Sequence, residues 1–218
     1  MFQNRSDAGY QLAQKLKIYQ AENPIILALP RGGVSIGYEV AVVLKAPLGV
    51  FVVRKVGAPW NPEFGIGAVA PGVQILDTES LQILGIKPSQ IEGIIKQEQQ
   101  EVKRRQELYQ QDENLSYITG KTIILVDDGV ATGVTTRAAI QAIKHLKPAK
   151  FILAIPVGPR DTIEELRHLV DDLICLESPF SFYAVGAFYL SFPQVSDEEV
   201  IALLESAKEK RKNNDSSS

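Results

Sequence analysis

The sequence predicts an α/β fold, a mainly parallel five-stranded sheet flanked by helices. Two observations predict it. Short, wholly apolar runs alternate with amphipathic stretches, as strands and covering helices do when a sheet is buried on both faces. Three apolar runs also end in residues unusual for a plain turn: Pro30-Arg31-Gly32-Gly33, Arg54-Lys55 and Asp127-Asp128. In parallel sheets, ligands bind outside such carboxyl ends.

The elements follow in order. Ala8, Leu12 and Leu16 recur every four residues, so 7–19 reads as a helix. Ile25 to Leu29 is a buried strand, and Pro30 to Gly33 a tight loop. A helix over 34–45 and a strand over 48–53 follow. The Gly- and Pro-rich stretch 54–72 reads as a long loop with a short hairpin around Phe64 to Ala70. Ile91, Ile94, Ile95 and Val102 form the apolar side of a polar surface helix over 91–109, whose Lys103-Arg104-Arg105 cluster reads as a solvated face. Three more strands are expected at 122–126, 151–155 and 172–176, with helices at 135–146 and 162–170. The stretch 178–192 is aromatic and irregular. Ser196 and Glu199 make a capping box for a last helix. The tail is expected to fray from Lys208, which gives one domain over 1–210 and a disordered end over 211–218.

Composition narrows the function. With a formal net charge of -3 the chain has no global basic field, so neither nucleic acid nor a membrane surface is an expected partner. No apolar run reaches the ~18 residues of a membrane span, and the first residues lack a secretory pattern. Cys175 is alone, which excludes a disulfide framework and fits a reducing cytoplasm. His145 and His168 are too scattered for a zinc site.

The segment 123–136, IILVDDGVATGVTT, carries the chemistry. A buried strand ends in two carboxylates. A loop with Gly129, Gly133 and the hydroxyls of Thr132, Thr135 and Thr136 then runs into a helix. Loop N–H groups and a helix amino end form an anion cradle suited to a phosphate. Carboxylates facing that phosphate would repel it, so they need another partner, and a ribose diol donates the hydrogen bonds they accept. Together the two describe a 5-phosphoribosyl group. Val134 stands where a Walker loop needs Lys, and Arg31-Gly32-Gly33-Val34 lacks dinucleotide-fold spacing.

At these residues the chain resembles the type I phosphoribosyltransferases, and Ile124 to Thr135 matches their signature for phosphoribosyl pyrophosphate (PRPP). The stretches LPRGGV, RKVGAPWNPEFGIGAV and FPQVSDEEV extend the likeness, to a subgroup described as predicted phosphoribosyltransferases. The resemblance implies that Asp127 and Asp128 hold the ribose hydroxyls. It implies that Gly129, Val130, Ala131, Thr132, Gly133, Val134 and Thr135 wrap the 5′-phosphate. Arg31, Gly32, Gly33, Arg54 and Lys55 fall where relatives bind pyrophosphate, and relatives often have a cis peptide equivalent to Pro30–Arg31. Mg²⁺ is implied as cofactor, held by the ligand's own oxygens with no direct protein ligand. Arg31, Lys55 and Asp128 are the implied catalytic groups. No general base is evident.

The resemblance further implies a small hood, formed by N- and C-terminal segments, over the acceptor. Phe180, Phe182 and Tyr183 either stack on a planar base there or form core, with core the favoured reading. An acid usually stands at the position of Ala131 in enzymes acting on 6-oxopurines, so another nitrogenous acceptor is expected. A non-catalytic module sensing PRPP or a nucleotide is the alternative, and Arg31 with Arg54-Lys55 favours the enzyme. The stretch Ala58 to Ala70 is expected to act as a mobile lid. Alternatively, Trp60, Phe64 and Ile66 make it a homodimer edge.

Overall fold

A computed structural model describes residues 1–110 and 115–215. In chain order its elements are α1 (Arg5–Leu16), β1 (Ile25–Ala28), α2 (Gly32–Leu44), β2 (Leu48–Val50), β3 (Arg54–Ala58), β4 (Asn61–Ala70) and β5 (Val73–Leu76). There follow α3 (Thr78–Ile83), α4 (Pro88–Leu108), β6 (Thr122–Val126), α5 (Val134–His145), β7 (Lys150–Val157), α6 (Arg160–Arg167), β8 (Asp172–Glu177) and α7 (Asp197–Asp215). They gather into two compact units. The first comprises Met1–Phe51, Gly120–Gly133 and Pro148–Ser218, the second Val52–Thr119 and Val134–Lys147.

The first unit holds the expected parallel sheet, in the order β2-β1-β6-β7-β8. Every residue of Thr122–Val126 is buried, which explains why that strand shows no polar alternation. Ala28 pairs with Val126, so β1 and β6 end side by side and their two loops leave from one edge. The Asn4 side chain caps α1 by accepting from the Asp7 N–H at 2.9 Å. The expected capping box of α7 is present: Ser196 N–H donates to Glu199 at 2.7 Å, and Glu199 N–H donates to Ser196 Oγ at 3.2 Å.

The second unit departs from the expected long loop. Residues 54–76 form a three-stranded antiparallel sheet, β3-β4-β5, packed by α4 and α5. The glycines that suggested coil are strand residues where backbones approach closely. A Cβ on Gly57 would stand 2.5 Å from the Pro62 carbonyl oxygen, and one on Gly67 2.4 Å from that of Ile75. The register shifts at Gly57 mark a bulge. Other differences are smaller: β2 stops at Val50, α3 is an extra helix, and α7 stays helical to Asp215 where fraying from Lys208 was expected. Among the described residues no helix is long and apolar enough to cross a membrane.

Candidate active site

The candidate site lies on the first unit, at the neighbouring ends of β1 and β6. Leaving β1, the chain turns at Pro30–Arg31, whose peptide bond is cis. Arg31 is then the N-cap of α2, and Gly32 and Gly33 form its first turn. Both glycines back directly onto the acid pair. A Cβ on Gly33 would lie 3.0 Å from Asp127 Cα, and one on Gly32 would overlap the Asp128 carboxylate.

Asp127 and Asp128 are half-buried. Asp127 Oδ1 accepts the N–H of Asp128 at 2.8 Å. Burial raises the Asp127 carboxyl well above its ordinary pKa of 3.8, and the neighbouring Asp128 charge adds to the rise. Burial raises Asp128 as well, but the Arg5 guanidinium opposes it. Arg5 Nε donates to Asp128 Oδ2 at 2.8 Å, and Arg5 Nη1 donates to the Pro193 carbonyl at 2.6 Å. The guanidinium also lies 3.6 Å from the centre of the Phe192 ring. Tyr189 Oη donates to the Asp128 carbonyl at 2.6 Å.

The loop after the acids is tied down at one end. The N–H of Val130 donates to the Val157 carbonyl at 2.9 Å, and the Val130 side chain is buried. Thr162 Oγ1 donates to the Ala131 carbonyl at 3.2 Å. Val130 thus anchors the loop within the fold. A Cβ on Gly129 would meet Val185 at 2.4 Å, and Gly133 has φ +73. Ala131, Thr132 and Thr135 are exposed, and Val134 opens α5.

The two hood segments join. Phe2 bridges Tyr189, its N–H donates to the Phe188 carbonyl, and the Leu190 N–H donates to the Phe2 carbonyl. The reading of the aromatics as core fails for two of the three. Phe180 and Tyr183 are exposed at 88% and 93%, whereas Phe182 stacks on Phe188.

Arg54 and Lys55 belong to the second unit. Arg54 Nε donates to Glu98 at 2.6 Å, and Lys55 lines a hollow of about 220 Å³ with Asp77, Arg137 and Gln141. Trp60 and Phe64 are exposed there, but Ile66 is buried and leaves the expected sticky edge. Lys103-Arg104-Arg105 does form a surface face, in which both arginines pair with Glu101 and hold it down to about 2.

Sequence reasoning missed Arg5, Tyr189 and Pro193. A signal for Arg5 existed: it lies three residues before Ala8, on the buried face of α1.

Comparison with known proteins agrees with this geometry. The sequence model of the phosphoribosyl transferase domain family matches residues 3–191. Proteins named "Putative phosphoribosyl transferase" in two Mycobacterium tuberculosis strains, H37Rv and CDC 1551 / Oshkosh, are 38% identical over 208 residues. That alignment covers 95% of this chain and 47% of theirs, so the chain spans about half their length. The crystal structure of TT1426 from Thermus thermophilus is 38% identical and superposes with a TM-score of 0.86, covering 94% of this chain and 98% of that one. This chain belongs to the type I phosphoribosyltransferase family.

Proposed function

We propose that the chain binds PRPP and transfers its 5-phosphoribosyl group to a nitrogenous acceptor, releasing pyrophosphate. One observation carries this reading: Gly32 and Gly33 lie directly against Asp127 and Asp128, at the ends of adjacent strands. Acceptors for a ribose diol thereby share one edge with a backbone turn suited to an anion. In this reading the acid pair accepts the ribose hydroxyls, Arg31 attracts the departing pyrophosphate, and the exposed part of 131–135 meets the 5′-phosphate. Val130 serves as that loop's anchor. For Arg54 and Lys55 as pyrophosphate groups, the support is the family resemblance alone.

The family resemblance supports Mg²⁺ in this site as a passenger of the ligand. The ion's oxygens would come from pyrophosphate and ribose, where it would offset charge building on the leaving group. By the family resemblance, alanine in place of an acid at position 131 supports an acceptor other than a 6-oxopurine.

The test is to incubate the protein with PRPP, Mg²⁺ and pooled nitrogenous bases and amines, following pyrophosphate release. Release that requires one acceptor establishes transfer. Binding of PRPP without release under any acceptor would make the chain a sensor, and no binding would remove the donor assignment.

A further inference from the structure

We propose that Arg5 is a positioning residue for the candidate site: reaching from α1, it holds the Asp128 carboxylate in one orientation toward the ribose diol. This rests on the reading of Asp128 as a ribose-holding group.

The position of Arg5 is unfavourable on local grounds. It is the first residue of α1, where the helix dipole presents its positive end and disfavours a cation. It is also buried, on the face that carries Ala8 and Leu12. A buried cation there needs compensation, and three groups supply it. Nε bonds Asp128 Oδ2 at 2.8 Å, Nη1 bonds the Pro193 carbonyl at 2.6 Å, and the Phe192 ring covers one face at 3.6 Å. Only a planar fork satisfies all three at once.

Asp128 is confined from its other sides. Gly32 of α2 leaves no space for even one added carbon beside Oδ2. Asp127 flanks it as the preceding residue, just past the end of β6, and Tyr189 donates to its main-chain carbonyl at 2.6 Å. Arg5 is the cation in this set, with Asp127 and Tyr189 as the other titratable neighbours. The Arg5 and Asp128 side chains are 10% and 17% exposed. Apolar residues of similar volume can serve stability as well as such a pair. Holding a carboxylate in one orientation is a task that an apolar pair cannot perform.

The test uses the full chain and the variants Arg5→Gln and Arg5→Lys. The Asp128 carboxyl carbon is titrated by NMR without ligand, and PRPP–Mg²⁺ affinity is measured by calorimetry from pH 5 to 8. Arg5→Gln is expected to raise the Asp128 midpoint by about 1–3 pH units. It should also lower affinity at neutral pH on the order of tenfold, with the loss shrinking as pH rises. Arg5→Lys should keep the midpoint near that of the wild type yet bind a few-fold more weakly, because its charge stays while the fork is lost. Affinity falling by one factor at every pH, with an unmoved midpoint, would mean a structural pin and overturn the proposal. If Arg5→Gln fails to fold, Arg5→Lys decides: unchanged affinity at all pH values overturns the positioning role. A wild-type protein that does not bind PRPP refutes the proposed donor. The ligand-free titration still decides whether Arg5 controls Asp128.

Discussion

A Cβ built on Gly32 would stand 1.9 Å from Oδ2 of Asp128, the oxygen that Arg5 grips at 2.8 Å. The missing side chain at Gly32 is therefore what lets α2 start beside the acid pair. Glycine serves here by close approach, since Gly32 is not among the residues with positive φ.

Gly32→Ala should displace the Asp128 carboxylate from Arg5. The expected cost is about 1–3 kcal/mol of stability by overpacking, together with loss of PRPP affinity. Gly93→Ala in α4 is the control, because a Cβ there meets nothing within 4 Å. That change should stabilise by roughly 0.5–1 kcal/mol through helix propensity and leave affinity alone. Thermal melts and calorimetry on both variants check the pair. Equal affinity for Gly32→Ala and wild type would show that the carboxylate need not stay where it is.

The acid pair gives a pH prediction with a definite sign. Asp127 has a folded pKa raised above 3.8 by burial and by Asp128. The folded state therefore holds a proton that the unfolded state releases, and stability falls as pH rises from about 4 toward the raised value. Asp127→Asn removes this dependence. The difference in urea midpoint between variant and wild type should grow in favour of the variant from pH 4 to 7, while groups remote from the acid pair cancel. A constant difference across that range would contradict the raised pKa. Asp128→Asn is a poorer probe of binding, because leaving Arg5 buried and unpaired costs about 3–5 kcal/mol.

Cys175 is half-buried on β8, and burial pushes its thiol up to about 11 from an ordinary 9.0. At pH 7.5 it should carry roughly a hundredfold fewer thiolates than a free cysteine, and react with an aromatic disulfide correspondingly slowly. Unfolding in urea should restore the rate. Fast reaction in the folded protein would mean that β8 opens locally.

Much of the parallel sheet was legible because its strands are apolar on both faces and end in punctuating residues. Thr122–Val126 is legible to the residue, and the adjacency of Pro30–Gly33 to Asp127-Asp128 follows once β1 and β6 pair. Arg5 escaped notice because its partner lies 123 residues away, although a cation on the apolar face of α1 was a clue. The small sheet was missed for a different reason. Glycines at 57, 65 and 67 suppress the apolar alternation by which strands are recognised, and only the fold shows that Gly57 and Gly67 admit neighbouring backbone. Val130, one variable position of the signature, could not be separated from its neighbours without knowing that its N–H meets Val157.

The three-stranded sheet changes what a lid in this region can be. β4 pairs with β3 on one side and β5 on the other, so Gly67 to Val69 sit at the centre of two ladders. Such amides exchange only when the unit opens, and their protection should be high without any ligand. Ala58 pairs with Asn61, which leaves Pro59 and Trp60 as the turn between β3 and β4. Trp60 there is 59% exposed and Phe64 46% exposed, whereas Ile66 is buried. Any ligand-driven ordering should therefore be confined to the tip, about 59–64, with the ladder below it moving as one piece or staying still. Hydrogen exchange with and without PRPP and Mg²⁺ reads this directly. Added protection at the tip alone supports a rigid hairpin with an adjustable end. Protection gained across 66–70 as well would show that the whole sheet orders on binding. Tip protection that needs no ligand and fades on dilution would identify Trp60 and Phe64 as a contact between two copies of the chain.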